Sequence, residues 1–283
     1  MPRNSEAIEL RSADLAVRVE ALGARIDSIV VLASDTELLL HTPWADEEFD
    51  SFHRMTPTGD EWHRRYAGGW HPVLPHAGED IAQDGVVHAF HGEAGWRTWR
   101  TIVKEPQRCT QQVMLRTVPL LVDRTVTVEQ NRVTVLQRAT NYGAEPTSVT
   151  WGEHPAFGPA LISAQTTIRV SGRPITLTMP EDGGRLAAIT DVDDVGRGQY
   201  ELCNPASGLA VSVTFDPELF RHLWIWQEHH GTSGFPWWGA VNTIGVEPFS
   251  RSFVGDESGL GSVRIAPGQS RETTVTLTVS AAT

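Results

Sequence analysis

The feature that most restricts this chain is alternation. In DRTVTVEQNRVTVLQRAT (residues 123–140) Val126 and Val128 share one face, and Val133 and Val135 resume the pattern after the polar pair Gln130-Asn131. A period of two is that of a strand with one buried face, and the polar pair supplies the turn of a hairpin. LAVRVEAL (15–22), LAVSVTF (209–215) and TTVTLTVS (273–280) show the same period. No stretch of ten or more residues carries an apolar stripe at helical spacing, and 25 glycines and 17 prolines punctuate the chain. The expectation is an all-β protein. No internal repeat, low-complexity tract or linker-like shift divides it, so residues 1–283 are expected to form a single domain.

Charge narrows the partners. Thirty-five acidic against 23 basic residues give a formal charge of −12, which repels nucleic acid and anionic membrane surfaces and suits a neutral small-molecule substrate. No apolar run approaches the roughly 20 residues that cross a bilayer. The N-terminal MPRNSEAIELRSADL has no apolar core for a signal peptide, and Cys109 and Cys203 are too few for a disulfide framework. A cytoplasmic protein with free thiols is expected, a monomer or homodimer.

Two stretches resist strand assignment and are expected to be long loops walling a site. Residues 41–85 hold histidines at 53, 63, 71 and 76, and residues 228–242 read EHHGTSGFPWWGAVN. The chain has ten tryptophans against three tyrosines, and Trp224, Trp226, Trp237 and Trp238 fall close together. Flat apolar faces of this kind fill a core or bind sugar rings. Core packing is the open alternative for Trp224.

Ionisable residues beside Gly, Pro or aromatic residues mark three further segments: HAFHGEAGW (88–96), WGEHPAFG (151–158) and IGVEPF (244–249). Glu153 and His154 stand side by side in an apolar setting, where desolvation shifts pKa values toward a range useful for proton transfer. Glu247 precedes a proline, where a strand is expected to end with its carboxylate on a rigid platform.

The order His-Gly, then a His in a small aromatic cluster, then a late Val-Glu-Pro resembles the aldose 1-epimerase family, the mutarotases that interconvert sugar anomers. The resemblance implies a large antiparallel β-sandwich of the galactose mutarotase-like kind. It implies Glu247 as base, His154 as acid and His91 orienting the anomeric or ring oxygen, with Phe157 as the aromatic of the second motif. Gly68, Gly69, Trp70 and Pro75, and the IWQEHHGTSGFPWWG stretch, extend the likeness along nearly the whole chain. Sugar-binding positions are expected at His76, Glu153, Phe157, Trp226, Trp237 and Trp238, with no metal and no cofactor.

Departures accompany the matches. Where the family carries an Asn-Arg pair after the first Gly-rich loop, this chain reads LPHAGED, so His76 or Glu79 is expected to line the pocket instead. Glu153 replaces an asparagine, and its charge is expected to tune His154 upward. A phosphosugar epimerase using Arg97 and Arg100, a metal-dependent barrel using His71, His76, His88 and His91 with Glu79 or Glu93, and a non-catalytic sugar-binding module are the competing readings.

Overall fold

The computed structural model of the protein describes residues 7–47, 57–180, 184–253 and 259–282. His53 and the first residues of the N-terminal stretch lie outside the described residues. Two nine-stranded antiparallel sheets dominate. The first runs, in spatial order, Ile8–Arg11, Leu15–Val19, Ile26–Val31, Trp70–Val73, Gly152–Phe157, Asn242–Phe249, His222–His229 and Leu186–Val192, with Thr36–Glu37 paired to Ile26–Val31. The second is centred on Ser270–Ala281, Arg132–Asn141 and Leu120–Glu129. One apolar cluster takes residues from both sheets, among them Leu15, Val17, Phe157 and Val246 from the first and Val126, Val135 and Leu277 from the second. The fold is all-β, as the alternation implies, and a sandwich, as the resemblance implies, and Glu129 pairs with Arg132 across the expected hairpin.

The central strands of the first sheet explain where a site can form. Trp70–Val73 and Gly152–Phe157 are buried at every position, whereas Arg132–Asn141 alternates between buried and more exposed residues. An antiparallel strand buried on both faces needs cover on the side away from the core. That cover comes in part from the short helix Thr58–Arg65 and its C-cap, whose Trp62 and Tyr66 pack in a second, smaller apolar cluster with Phe90 and Trp237.

Two expectations are corrected here. The 41–85 stretch is not only loop: it carries that helix, the central strand Trp70–Val73, and Ile81–Gln83, which pairs with Val86–His88 just beyond it. A strand buried on both faces has no alternation to betray it. Glu247 does not close a strand either, since Asn242–Phe249 runs on through Pro248. The ladder to the neighbouring strand pairs Gly152 with Phe249 and Ala156 with Gly245 and is interrupted between them. Pro155 and Pro248, one on each strand, fall in that interruption, where neither has an N–H to give. Among the described residues no helix is long and apolar enough to cross a membrane, and Cys109 and Cys203 are buried free thiols.

Candidate functional site

Register brings the candidate residues together. His71 pairs with His154, Trp224 with Glu247 and Asp191 with Trp224. The register that pairs Gly152 with Phe249 and Ala156 with Gly245 sets His154 directly opposite Glu247. His71, His154, Glu247, Trp224 and Asp191 therefore form one row across five strands, on the face turned away from the core. Alternate residues of a strand point to opposite faces. Glu153 and Phe157 accordingly point the other way, into the sandwich.

The middle of the row, His154, Glu247 and Trp224, lines one wall of a cavity of about 610 Å³. His154 Nδ1 and Glu247 Oε1 are 3.5 Å apart, and neither atom has a hydrogen-bond partner. Burial pushes the Glu247 carboxyl well above the usual carboxylate range. It lowers the His154 imidazole from 6.5 to about 4. His154 is thus not tuned upward by Glu153, whose charge is spent across the sandwich. Trp70 Nε1 donates to Glu153 Oε2 at 2.6 Å, Arg124 binds both carboxylate oxygens at 2.7 and 2.9 Å, and Gln137 Nε2 also donates.

Backbone constraints explain several of the glycine-bearing motifs. A Cβ on Gly245 would lie 2.3 Å from Glu247 Oε1 and 3.4 Å from the Trp226 ring, so only glycine leaves the carboxylate its place. In the His-Gly motif both residues have positive φ, 57° at His91 and 73° at Gly92. A Cβ on Gly92 would meet the Leu74 carbonyl at 2.6 Å. The Gly78 N–H donates to His91 Nδ1 at 3.2 Å, which assigns the neutral ring its proton on Nε2. That ring, 5.5 Å from the His154 ring between centroids, is held well below its usual pKa by burial and by neighbouring histidines. It is a neutral hydrogen-bond donor. His76 Nε2 donates to the Glu79 carbonyl at 2.6 Å, leaving Nδ1 as an unpartnered acceptor.

Aromatic rings make up much of the remaining wall. Trp226 and Trp237 lie 5.6 Å apart between centroids, and Tyr66 stands 5.7 Å from both Trp237 and His154. Trp224 also faces the cavity, stacked on Phe249 at 3.8 Å. Of the expected site residues, His91, His154, Glu247, His76, Trp226 and Trp237 all line the cavity, as does Glu79. Glu153, Phe157 and Trp238 do not; Trp238 is 66% exposed on the outer side of its loop. Arg97 is paired with Glu93 at 2.6 Å and Arg100 with Gln112, and neither lines the cavity. Nor do the donor atoms of His71, His76, His88 and His91 converge as a metal cluster with Glu79 or Glu93 among the described residues.

Comparison with solved structures decides the architecture. The chain superposes on a protein of Synechocystis with a TM-score of 0.72 at 16% identity, covering 97% of this chain and 96% of the other. A galactose mutarotase-like protein of Lactobacillus casei gives 0.71 at 15%, covering 97% and 100%. An aldose epimerase homologue of Caenorhabditis elegans gives 0.68 at 15%, covering 98% and 99%. The chain has the galactose mutarotase-like fold. No family model and no curated protein matches its sequence.

Within this mutarotase-like fold, sequence reasoning missed several cavity residues. Trp62 and Tyr66 come from the helix Thr58–Arg65 and its cap, hidden in a stretch read as loop, and His63, noted only as part of that expected wall, comes from the same helix. Phe90 sits beside the His-Gly motif, and Arg251 and Phe253 follow Glu-Pro by a few residues. Arg251 Nε is buried without a hydrogen-bond partner. The one signal for it was nearness to Glu247 in sequence.

Proposed function

We propose that the protein is an isomerase of the aldose 1-epimerase type, interconverting the anomers of a neutral sugar by acid/base ring opening and closure. The observation that carries this reading is the facing pair His154 and Glu247, 3.5 Å apart with unpartnered atoms, in a cavity walled by aromatic rings. Opening a pyranose needs a base for the anomeric hydroxyl and an acid for the ring oxygen. Burial raises the carboxyl and lowers the imidazole, which favours a proton on the carboxyl beside a neutral ring over the ion pair. The alternative placement of that same proton, carboxylate with imidazolium, provides a strengthened base and a strengthened acid.

In that placement Glu247 takes the anomeric hydroxyl proton. The bond from the anomeric carbon to the ring oxygen breaks, its electron pair goes to the ring oxygen, and that oxygen takes the proton from His154. Rotation about the bond between the first two carbons presents the other carbonyl face, and the transfers reverse. His91, with its proton on Nε2, orients an oxygen of the sugar, and the Trp226 and Trp237 rings receive its apolar face. Two proton transfers, each contributing about 10²- to 10⁴-fold, supply the acceleration without any cofactor.

The test is the rate at which a freshly dissolved pure anomer reaches equilibrium optical rotation, corrected for spontaneous mutarotation. Glu247→Gln is expected to abolish the acceleration while sugar binding persists, because the amide keeps the shape but cannot accept the proton. His154→Ala should be slowed as well, and His91→Asn less than either. No acceleration of any reducing sugar by the wild type would refute the assignment. Arg251 favours a second reading, a sugar bearing an anionic group, so the panel should pair each aldose with its acid or phosphate.

A further inference from the structure

We propose that Asp191, Asp193 and His222 form a divalent-cation site at the edge of the cavity sheet, separate from the acid/base pair. The register that pairs Asp191 with Trp224 and Val192 with Leu223 sets Asp193 opposite His222. Asp191, two residues earlier, projects from the same face. Three donor groups therefore converge as a tripod from two adjacent strands. His222 Nδ1 lies 3.3 Å from Asp193 Oδ1 and 3.8 Å from Asp191 Oδ1, and the three donor atoms all lie within 4.8 Å of one another. Ligands bound at about 2.1 Å around one tetrahedral ion stand roughly 3.4 Å apart, so little movement closes the site.

Three observations favour a cation over a protonated histidine bridging two carboxylates. His222 Nδ1 and Asp191 Oδ1 are buried yet make no hydrogen bond, a cost that a bound ion removes. The Asp191 side chain is only 5% exposed, and its other oxygen is fixed by Ser252 Oγ and by the Phe253 N–H at 2.9 Å. A carboxylate oriented through one oxygen so that the second is presented is the outer-shell arrangement of metal ligands. Asp193, 81% exposed, leaves an entry path and open positions for water. Two carboxylates with one imidazole nitrogen suit a borderline ion such as Zn²⁺, Co²⁺ or Mn²⁺ better than Ca²⁺, which takes oxygen donors throughout.

The site lies two strand spacings from Glu247, roughly 10 Å, too far for its ion to touch the oxygens of a sugar held by the pair. Its effect is on the wall. Ser252 and Phe253 bind Asp191, Arg251 and Phe253 line the cavity, and the Phe253 ring meets Trp224 at 5.1 Å. A bound ion would fasten the 251–253 segment to the strand Leu186–Val192 and so set one side of the cavity.

The experiment is calorimetric titration of chelator-stripped full-length protein with Zn²⁺, Mn²⁺ and Ca²⁺ in turn. The absorption of the Co²⁺ complex reports on the ligand set. One equivalent of Zn²⁺ is expected to bind, with a rise in thermal midpoint that grows with its concentration. His222→Gln and Asp193→Asn should each weaken binding by at least about 10- to 100-fold, and Ser252→Ala by roughly tenfold, because Asp191 loses the hydroxyl that orients it. Asp193 is so exposed that its substitution keeps the test valid even if His222→Gln unfolds. Absence of uptake of all three ions at millimolar concentration would overturn the proposal, as would uptake unchanged in Asp193→Asn. Tighter binding of Ca²⁺ than of Zn²⁺ would overturn the assigned class of ion.

Discussion

Gly245 is the least conspicuous residue beside the proposed pair and sets its position. It has no unusual φ, so alanine costs no backbone strain there, yet its Cβ would come within 2.3 Å of Glu247 Oε1. The carboxylate is the free end of a flexible side chain and would swing aside. Gly245→Ala is therefore expected to leave folding nearly unchanged and to lower kcat/KM for the accelerated sugar by about 10²-fold, the usual loss for a reacting group displaced by an ångström. A variant as fast as wild type would show that the carboxylate does not act from this position. Trp237 and Trp238 are neighbours with different surroundings: Trp237 lines the cavity and stacks near Trp44 at 6.4 Å, while Trp238 faces outward. A saturable fluorescence quench by a bound sugar should disappear in Trp237→Ala and survive in Trp238→Ala.

At the scale of elements, the strand Gly152–Phe157 has two jobs on its two faces. His154 and Ala156 face the cavity side, while Glu153 reaches through the core to Arg124 on the Leu120–Glu129 strand of the other sheet. Both partners are fully buried, and the carboxylate also receives Trp70 and Gln137. A one-residue slip of this strand would carry Glu153 to the cavity and His154 into the core, so the ion pair locks the register on which the proposed pair depends. Breaking it by Glu153→Ala leaves an uncompensated guanidinium and should cost about 3–5 kcal/mol in urea unfolding. Glu153→Ala together with Arg124→Met should recover much of that loss. If the single substitution unfolds no more easily than wild type, the pair is not what fixes the strand.

For the molecule as a whole, the buried histidines dictate the response to acid. His63, His71, His76, His88, His91, His154 and His229 are all held below the usual 6.5, burial being the largest cause in each. A depressed histidine is neutral in the folded protein while the unfolded chain already binds the proton. Stability is therefore full above pH 6.5, falls as pH drops below 6.5, and stops falling once the folded values are passed. For His154, shifted from 6.5 to about 4, the loss across that window is roughly 3 kcal/mol. Glu247 works in the opposite direction, because its raised carboxyl favours the folded state at low pH and withdraws that contribution as pH rises above 4.5. Seven groups outweigh one, so the urea midpoint should decline steadily from pH 6.5 toward 4. A flat profile over that range would contradict the neutral, desolvated histidines.

The sequence by itself determined the all-β class and the hairpin at Gln130-Asn131, and it singled out the segments 88–96, 151–158 and 244–249, because period-two burial and the neighbours of a glycine or proline are local properties. It misplaced Glu153, Phe157 and Trp238, since adjacency in a chain does not say which face a side chain takes once register is set. It could not find Trp70–Val73 as a central strand, because a strand covered on both sides loses its alternation. Tyr66 and Trp62 were equally out of reach, being delivered to the cavity by a helix eight residues long. The opposition of His154 to Glu247 is a fact of cross-strand register between segments about ninety residues apart, and only the folded sheet decides it.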